Sequence, residues 1–166
     1  LQSCSSMFGG GVSNIMASSY LSEDSDMLAA EAAYAEMEAE LQNELDHYEP
    51  LHPGYDEYRF DLDEIEHDPY VLISILSALH EGAWTAGEVQ GTLQMLFDKQ
   101  YILIETIVTD TRYRTGTRTG SYTVTDPETG ESYEETYEYE VQVAYTYYIC
   151  NVSLENFNLS HVPVYI

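Results

Sequence analysis

Glu-x-x-His spacing provides the first candidates for chemistry in this sequence, at Glu44 with His47 and at Glu64 with His67. In paired form this spacing builds di-iron sites in helical bundles, because a carboxylate and an imidazole then share one helix face. A chain with 30 acidic residues produces the spacing by chance, and Pro69 follows His67 too closely for a long bundle helix to hold it. We therefore predict no metal site at either pair.

A cluster of carboxylates between the predicted helices could bind calcium, since hard cations favour oxygen ligands. The calcium-loop pattern fails, because Ile65 stands at its fifth position and no glycine follows. We interpret residues 51–67 as a solvated acidic connector with a turn of helix near 61–65, and we predict neither a metal nor a cofactor. The carboxylates belong to Asp61, Asp63, Glu64, Glu66 and Asp68.

Cys150 is the remaining candidate nucleophile. It lies in the middle of an apolar strand pattern, where a thiol is more often a small buried hydrophobe. Activation requires a nearby base such as His80 or His161, and no local signature supports a Cys-His pair. Phosphate-binding loops and the common hydrolase motifs do not occur. We predict no catalytic residue and no enzymatic activity; the redox state of Cys4 and Cys150 stays open.

Composition limits the classes of partner. The 166 residues carry a formal net charge of -25, so the surface repels a nucleic-acid backbone and nucleic acid is excluded as a direct partner. An apolar fraction of 44% is sufficient for one core of ordinary domain size. The 16 tyrosines suit half-exposed strands and contact surfaces, because the ring can be buried while the hydroxyl stays in water.

An amphipathic helix is predicted over residues 23–50, and a flexible linker rich in serine and glycine over residues 1–22. Apolar residues of the helix recur every three or four positions, and Pro50 ends the pattern. Intrahelical ion pairs are scarce, so burial must stabilise the helix, either on the rest of the chain or by self-association. The stripe consists of Met27, Ala30, Tyr34, Met37, Leu41, Leu45 and Tyr48.

Residues 68–166 are predicted to form an α+β module. Asp68-Pro69 is an N-cap followed by a proline at the first helical position, and Thr85 with Glu88 forms a capping-box pattern for a second short helix. This pair of helices is followed by a strand from Tyr101 and an antiparallel sheet with a long hairpin. The order is similar to that of a winged helix with an oversized wing.

The long hairpin covers residues 109–146 and reverses at the turn 126–130. Its arginines lie on the first strand and glutamates on the second, so cross-strand charge pairing is expected, with the register left open. Such a hairpin cannot bury both faces, and its tyrosines and arginines therefore indicate an interaction surface. The predicted interaction residues are Arg112, Tyr113, Arg114, Arg118, Tyr122, Tyr133, Tyr137 and Tyr139.

Several separated motifs resemble membrane-anchored proteins encoded by conjugative transposons of Firmicutes. In that family a membrane helix precedes a Ser/Gly linker similar to Cys4–Ser19, and a cell-wall peptidase of the NlpC or CHAP type follows. The motifs are residues 52–58 (HPGYDEY), 67–70 (HDPY), 96–101 (LFDKQY), 111–115 (TRYRT) and 139–143 (YEVQV).

The resemblance implies a location on the extracytoplasmic face of a Gram-positive membrane, anchored by a segment outside this sequence. It also implies protein components of a conjugative secretion apparatus as partners, with peptidoglycan as a further candidate. No catalytic residue carries over, because the peptidase region is not part of this sequence. We expect a non-catalytic spacer or interaction module that positions a cell-wall hydrolase. The alternatives are a glycan-binding domain with exposed tyrosines and a cryptic enzyme at Cys150 or the acidic connector.

Overall fold

The computed structural model describes residues 22–161, which form a mixed α+β fold with five helices and one three-stranded sheet. Apart from Ser22, the predicted linker lies outside the described residues, as does Cys4. The helices are α1 (Asp24–Asp46), α2 (Tyr48–Leu51), α3 (Pro69–Leu79), α4 (Gln90–Gln100) and α5 (Asn158–His161). The strands are β1 (Glu57–Leu62), β2 (Tyr101–Thr125) and β3 (Ser132–Asn156).

The helix predicted over 23–50 is divided into α1 and α2. The backbone leaves helical geometry at His47, with φ -117° and ψ 26°. Met27, Ala30, Tyr34, Leu45 and Tyr48 are buried as expected, but Met37 and Leu41 are only half-buried. The same face of α1 also buries two glutamates. The buried face of α1 is therefore partly charged, and its carboxylates need partners inside the fold.

Local signals place the two central helices correctly. The side chain of Asp68 accepts a hydrogen bond from the backbone N–H of Tyr70 at 2.9 Å, and Pro69 occupies the first turn of α3. Thr85 and Glu88 make the reciprocal capping-box contacts at 3.4 and 3.5 Å. These contacts close a turn over 86–89, however, and α4 begins only at Gln90.

The sheet is mixed, not antiparallel as predicted. The N–H of Asp56 donates to the carbonyl of Tyr148, and the N–H of Asp63 donates to that of Leu154. The residue numbers of the donors and of their acceptors increase together, so β1 runs parallel to β3. The strand order is β1-β3-β2. The predicted turn of helix near 61–65 is wrong, since β1 extends through Leu62. The finer prediction of a winged-helix-like order is not confirmed.

The predicted hairpin is present, and its strands are longer than the pattern indicated, at 25 residues each. The carboxylate of Asp126 accepts from the N–H groups of Glu128 and Thr129 at 2.8 and 3.4 Å. The N–H of Gly130 donates to the carbonyl of Asp126, and Gly130 has a φ of +73°, which glycine adopts without steric cost. Asp-Pro-x-x-Gly is therefore a well-formed reversal.

The chain forms two compact units. Among the described residues, unit 1 contains 22–54, Phe60–Glu105 and 151–161, and unit 2 contains Tyr55–Arg59 and Thr106–Cys150. In unit 1, α1 packs on α3 and α4. The buried side chains of unit 1 include Leu72, Ile73, Leu76, Trp84, Val89, Leu93, Leu96, Val152, Leu154 and Leu159. Unit 1 therefore holds the apolar core of the described chain.

This core predicts a contrast between two leucines. Leu72 is fully buried, so Leu72→Ala should lower the free energy of unfolding by about 2–5 kcal/mol through lost burial and a cavity. Leu51 is 57% exposed, and Leu51→Ala should change it by less than about 0.5 kcal/mol. Urea denaturation measures both variants. Equal losses would mean that the core is not centred on α3.

Candidate functional site

His67 lies between two carboxylates of α1 in the interior of unit 1. Its Nδ1 contacts Glu38 Oε1 at 2.6 Å, and its Nε2 contacts Glu31 Oε2 at 2.8 Å and Glu31 Oε1 at 2.7 Å. The side chains of His67 and Glu31 are 4% and 5% exposed. Ionised Glu31 and Glu38 accept hydrogen bonds only, so each ring nitrogen must supply an N–H group and His67 is an imidazolium.

The amide of Gln100 and two tyrosine hydroxyls complete this assembly. Tyr34 lies between the two glutamates on the α1 face and donates to Gln100 Oε1 at 2.6 Å. The Tyr101 hydroxyl donates to Glu38 Oε2. The Tyr34 ring also packs edge-on against the His67 ring, with centroids 4.7 Å apart. We call Glu31, Tyr34, Glu38, His67, Gln100 and Tyr101 the His67 cluster.

Backbone carbonyls of the connector join the His67 cluster to the strand ends. The amide of Gln100 donates to the Glu66 carbonyl and to Asn156 Oδ1, both at 3.0 Å. Asn156 in turn donates to the carbonyls of Glu64 and Glu66 at 2.9 and 3.0 Å. The predicted connector therefore contributes carbonyl acceptors and His67, whose carboxylate partners come from α1 and not from Glu64.

Electrostatics support a charged His67. Burial alone lowers the pKa of His67, but hydrogen bonds to Glu31 and Glu38 outweigh this effect and raise the pKa to about 9. Burial, followed by the Glu38 and Glu31 charges, raises the pKa of Tyr34 well above its ordinary range. Burial and the hydrogen bond to Glu38 do the same for Tyr101. Both tyrosines therefore remain neutral donors at physiological pH.

The geometry of the His67 cluster fits a structural role. Two surface hollows in unit 1, of about 340 and 380 Å³, are lined by other residues. Within residues 22–161, no group of three or more His, Cys, Asp or Glu side chains is arranged to hold a metal ion. The ring nitrogens of His67 are already occupied by carboxylates. The cluster thus connects α1, the connector, α4, β2 and β3 by a network of charged and neutral hydrogen bonds.

The other sequence candidates lie apart from the His67 cluster. His47 Nδ1 contacts the carbonyl of Asn43 at 2.9 Å, while Glu44 lies 3.6 Å from His52. The side chain of Asp63 accepts from the N–H of Asn156. Cys150 is fully buried.

The cluster predicts a pH dependence of stability. Because the pKa of His67 is raised above the unfolded value near 6.5, its contribution is fully present below about pH 6.5 and is lost as the pH rises through about 9. The free energy of unfolding should fall by up to about 3 kcal/mol across this window. Urea denaturation at several pH values measures this fall in the free energy of unfolding. In His67→Gln, the free energy of unfolding should no longer fall across this pH window. An identical slope in His67→Gln would contradict the assignment.

Unit 2 carries the second candidate site, on the hairpin, whose register is set by contacts across its strands. Thr125 faces Ser132 at 3.1 Å, Tyr122 donates to Glu135 at 2.7 Å, and Gln142 donates to Thr115 at 3.2 Å. The two residue numbers add up to the same total in each of the three pairs. The strands therefore stay paired without a bulge from one contact to the next. Even positions of β2 therefore share a face with odd positions of β3.

This register separates two chemically different faces. The arginine-tyrosine face comprises Arg112, Arg114, Arg118, Tyr122, Tyr133, Tyr137, Tyr139, Val141, Val143, Tyr145 and Tyr147, together with the carboxylates of Asp110 and Glu135. The threonine-glutamate face comprises Tyr113, Thr115, Thr117, Thr119, Thr123, Glu134, Glu138 and Glu140. Of the predicted interaction residues, all but Tyr113 lie together on the first face.

The expected cross-strand pairing of arginines with glutamates is wrong. Within the described chain, the hairpin arginines form a single ion pair, between Arg112 and Asp110 of the same strand at 3.3 Å. Arg112 and Arg114 instead lie over the rings of Tyr147 and Tyr145, at 3.5 and 5.3 Å from the centroids. The register explains this result, because it directs most of the glutamates to the opposite face.

The tyrosines of the arginine-tyrosine face form an exposed series. The rings of Tyr122 and Tyr137 are 6.0 Å apart, and those of Tyr137 and Tyr139 are 5.8 Å apart. A Cβ at Gly120 would lie 2.5 Å from the Tyr137 ring, so glycine there makes room for the ring. Tyr122, Tyr137 and Tyr139 remain 49%, 49% and 43% exposed.

No family profile matches the sequence, and comparison with curated proteins and with solved structures finds no significant similarity. None of the helices in residues 22–161 combines the length and apolar character that a membrane span requires.

Proposed function

We propose that this chain is a non-catalytic interaction module that binds a protein partner through the arginine-tyrosine face. The observation that carries the proposal is the placement of exposed tyrosines and arginines on one face of a strand pair. Tyrosine and arginine are enriched at the energetic centres of interfaces. Ring stacking and cross-strand contacts hold many of these side chains in position, which lowers the entropy cost of binding.

The composition of the two faces supports this choice of surface. The threonine-glutamate face suits permanent exposure, since threonine favours strands and glutamate keeps the surface hydrated. The arginine-tyrosine face leaves aromatic and aliphatic area in water, which a partner could cover. A contact there would also add support to strands that a two-stranded ribbon alone stabilises poorly.

The biological setting that we propose follows from the conjugative-transposon motifs. The module would be extracytoplasmic at a Gram-positive membrane, and its parent protein would carry a cell-wall peptidase outside this sequence. Docking to components of a conjugative secretion apparatus would then position the hydrolase. Self-association through α1 would have to use its exposed residues, because Met27, Ala30 and Tyr34 are buried within the chain.

Glycan binding is the second candidate function. The ring series Tyr122, Tyr137 and Tyr139 is a specific observation in its favour, because successive rings could stack on successive sugars. This function would require the tyrosines but not the arginines. Titration with soluble peptidoglycan fragments, followed by tyrosine NMR signals, separates it from protein docking.

A pair of matched variants tests the proposed function. Replacing Tyr122 and Tyr137 with serine should impair conjugative transfer at least about tenfold in cells that carry the full-length protein, because interface aromatics contribute strongly to binding. Tyr113→Ser is the control, since Tyr113 lies on the opposite face of the same strand and is 64% exposed. Transfer frequency at equal protein level and circular dichroism are the measurements.

Normal transfer in the double variant, with the fold intact, would mean that the arginine-tyrosine face is only structural. Equal impairment by Tyr113→Ser would indicate a general loss of hairpin structure instead of a lost contact.

A further inference from the structure

Three arginines of β2 lie in a row on one face of the strand. Arg112, Arg114 and Arg118 are separated by two and four residues, so all three project from the arginine-tyrosine face. With a rise of about 3.4 Å per residue, their backbone positions are roughly 7 and 14 Å apart along the strand. These intervals are one and two times the distance between alternate side chains of an extended peptide.

The row is under-neutralised within an acidic protein. Arg114 and Arg118 have no carboxylate within ion-pair distance among residues 22–161, although the chain contains 30 acidic residues. The register keeps Glu134, Glu138 and Glu140 on the other face, so these carboxylates do not compete for the row. Glu135 shares the face with the arginines, but its carboxylate accepts a hydrogen bond from Tyr122. Guanidinium groups that stay unpaired on an aromatic surface are suited to carboxylates from another molecule.

The backbone of β2 offers a second element of recognition. β2 is the last strand in the sheet order β1-β3-β2, so its outer edge has no neighbouring strand in the described chain. The N–H and C=O groups on that edge can pair with an added extended peptide. Alternate side chains of the added strand would lie on the same face as the arginines, at the same spacing.

We propose that the outer edge of β2 binds an extended acidic peptide whose alternating carboxylates contact Arg114 and Arg118. This inference rests on the proposed function and specifies the chemistry of the partner. The β2 edge of a second copy is a poor occupant, because residues 111–125 carry three arginines and no carboxylate. A glycan could stack on the tyrosines, but it lacks the regular peptide N–H and C=O groups that pair with a strand edge.

Calorimetric titration of the whole chain tests the proposal. The probe is a synthetic peptide of alternating glutamate and threonine about ten residues long, which spans roughly 33 Å when extended. Its matched controls carry glutamine in place of glutamate, or proline in place of alternate threonines to remove backbone donors. We expect the glutamate peptide to bind, with an affinity that falls as NaCl is raised, and both controls to bind at least about tenfold more weakly.

Protein variants provide the second test. Arg114→Gln combined with Arg118→Gln should weaken binding of the glutamate peptide about tenfold, and Arg118→Gln alone about threefold. Arg59→Gln is the control, because Arg59 lies on β1 in the same unit and already pairs with Glu57. Its affinity for the peptide should stay unchanged.

Several results would overturn the proposal: no binding of the glutamate peptide, equal binding of the glutamine or proline peptide, or no effect of the arginine variants. Binding of an anionic oligosaccharide instead of the glutamate peptide would also overturn the proposal. If these tests failed while Tyr122→Ser with Tyr137→Ser still impaired transfer, the docking face would stand and only the acidic-strand chemistry would be wrong.

Discussion

A buried imidazolium between two carboxylates is the interaction on which the architecture of unit 1 depends. His67 holds Glu31 and Glu38 of α1, and the same cluster contains Gln100 at the end of α4 and Tyr101 at the start of β2. Removing one partner of a buried ion pair costs about 3–5 kcal/mol, because the remaining charge stays desolvated. The paired charges therefore favour one arrangement of α1, the connector and the strand ends, which apolar contacts alone specify less strictly.

On the hairpin, a different constraint decides which side chains share a face, namely the register of β2 and β3. A shift by one residue would move Arg114 and Arg118 onto the side of the glutamates and produce two mixed, mutually neutralised faces. The turn closed by Asp126 and Gly130 prevents this shift. The observed register concentrates cations and rings on one face, and the proposed docking function follows from that separation.

The sequence predicts those features that local chemistry determines. The Asp68 cap and the turn from Asp126 to Gly130 follow from short-range patterns. The sequence of β1 does carry a strand pattern, because Tyr58, Phe60 and Leu62 alternate with polar residues, as in a half-buried strand. The acidic residues of this region favoured the interpretation as a connector instead. The His67 cluster was not predictable, because its contacts join residues 29 to 66 positions apart. The one available signal was the presence of Glu31 and Glu38 on the apolar stripe of α1, where a carboxylate needs a buried partner. The two hairpin faces also required the register, which the sequence left open by one residue.

The protonation state of His67 tests this account most directly. A pH titration of the imidazole nitrogen and carbon resonances of His67, with the other histidines assigned as internal controls, reports the charge of the ring in the folded protein. We expect both ring nitrogens of His67 to be protonated at about pH 7.5, and the midpoint of its titration to lie near pH 9. A neutral ring with one protonated nitrogen at that pH, and a midpoint below about 7, would show that the carboxylates of α1 do not hold a buried imidazolium.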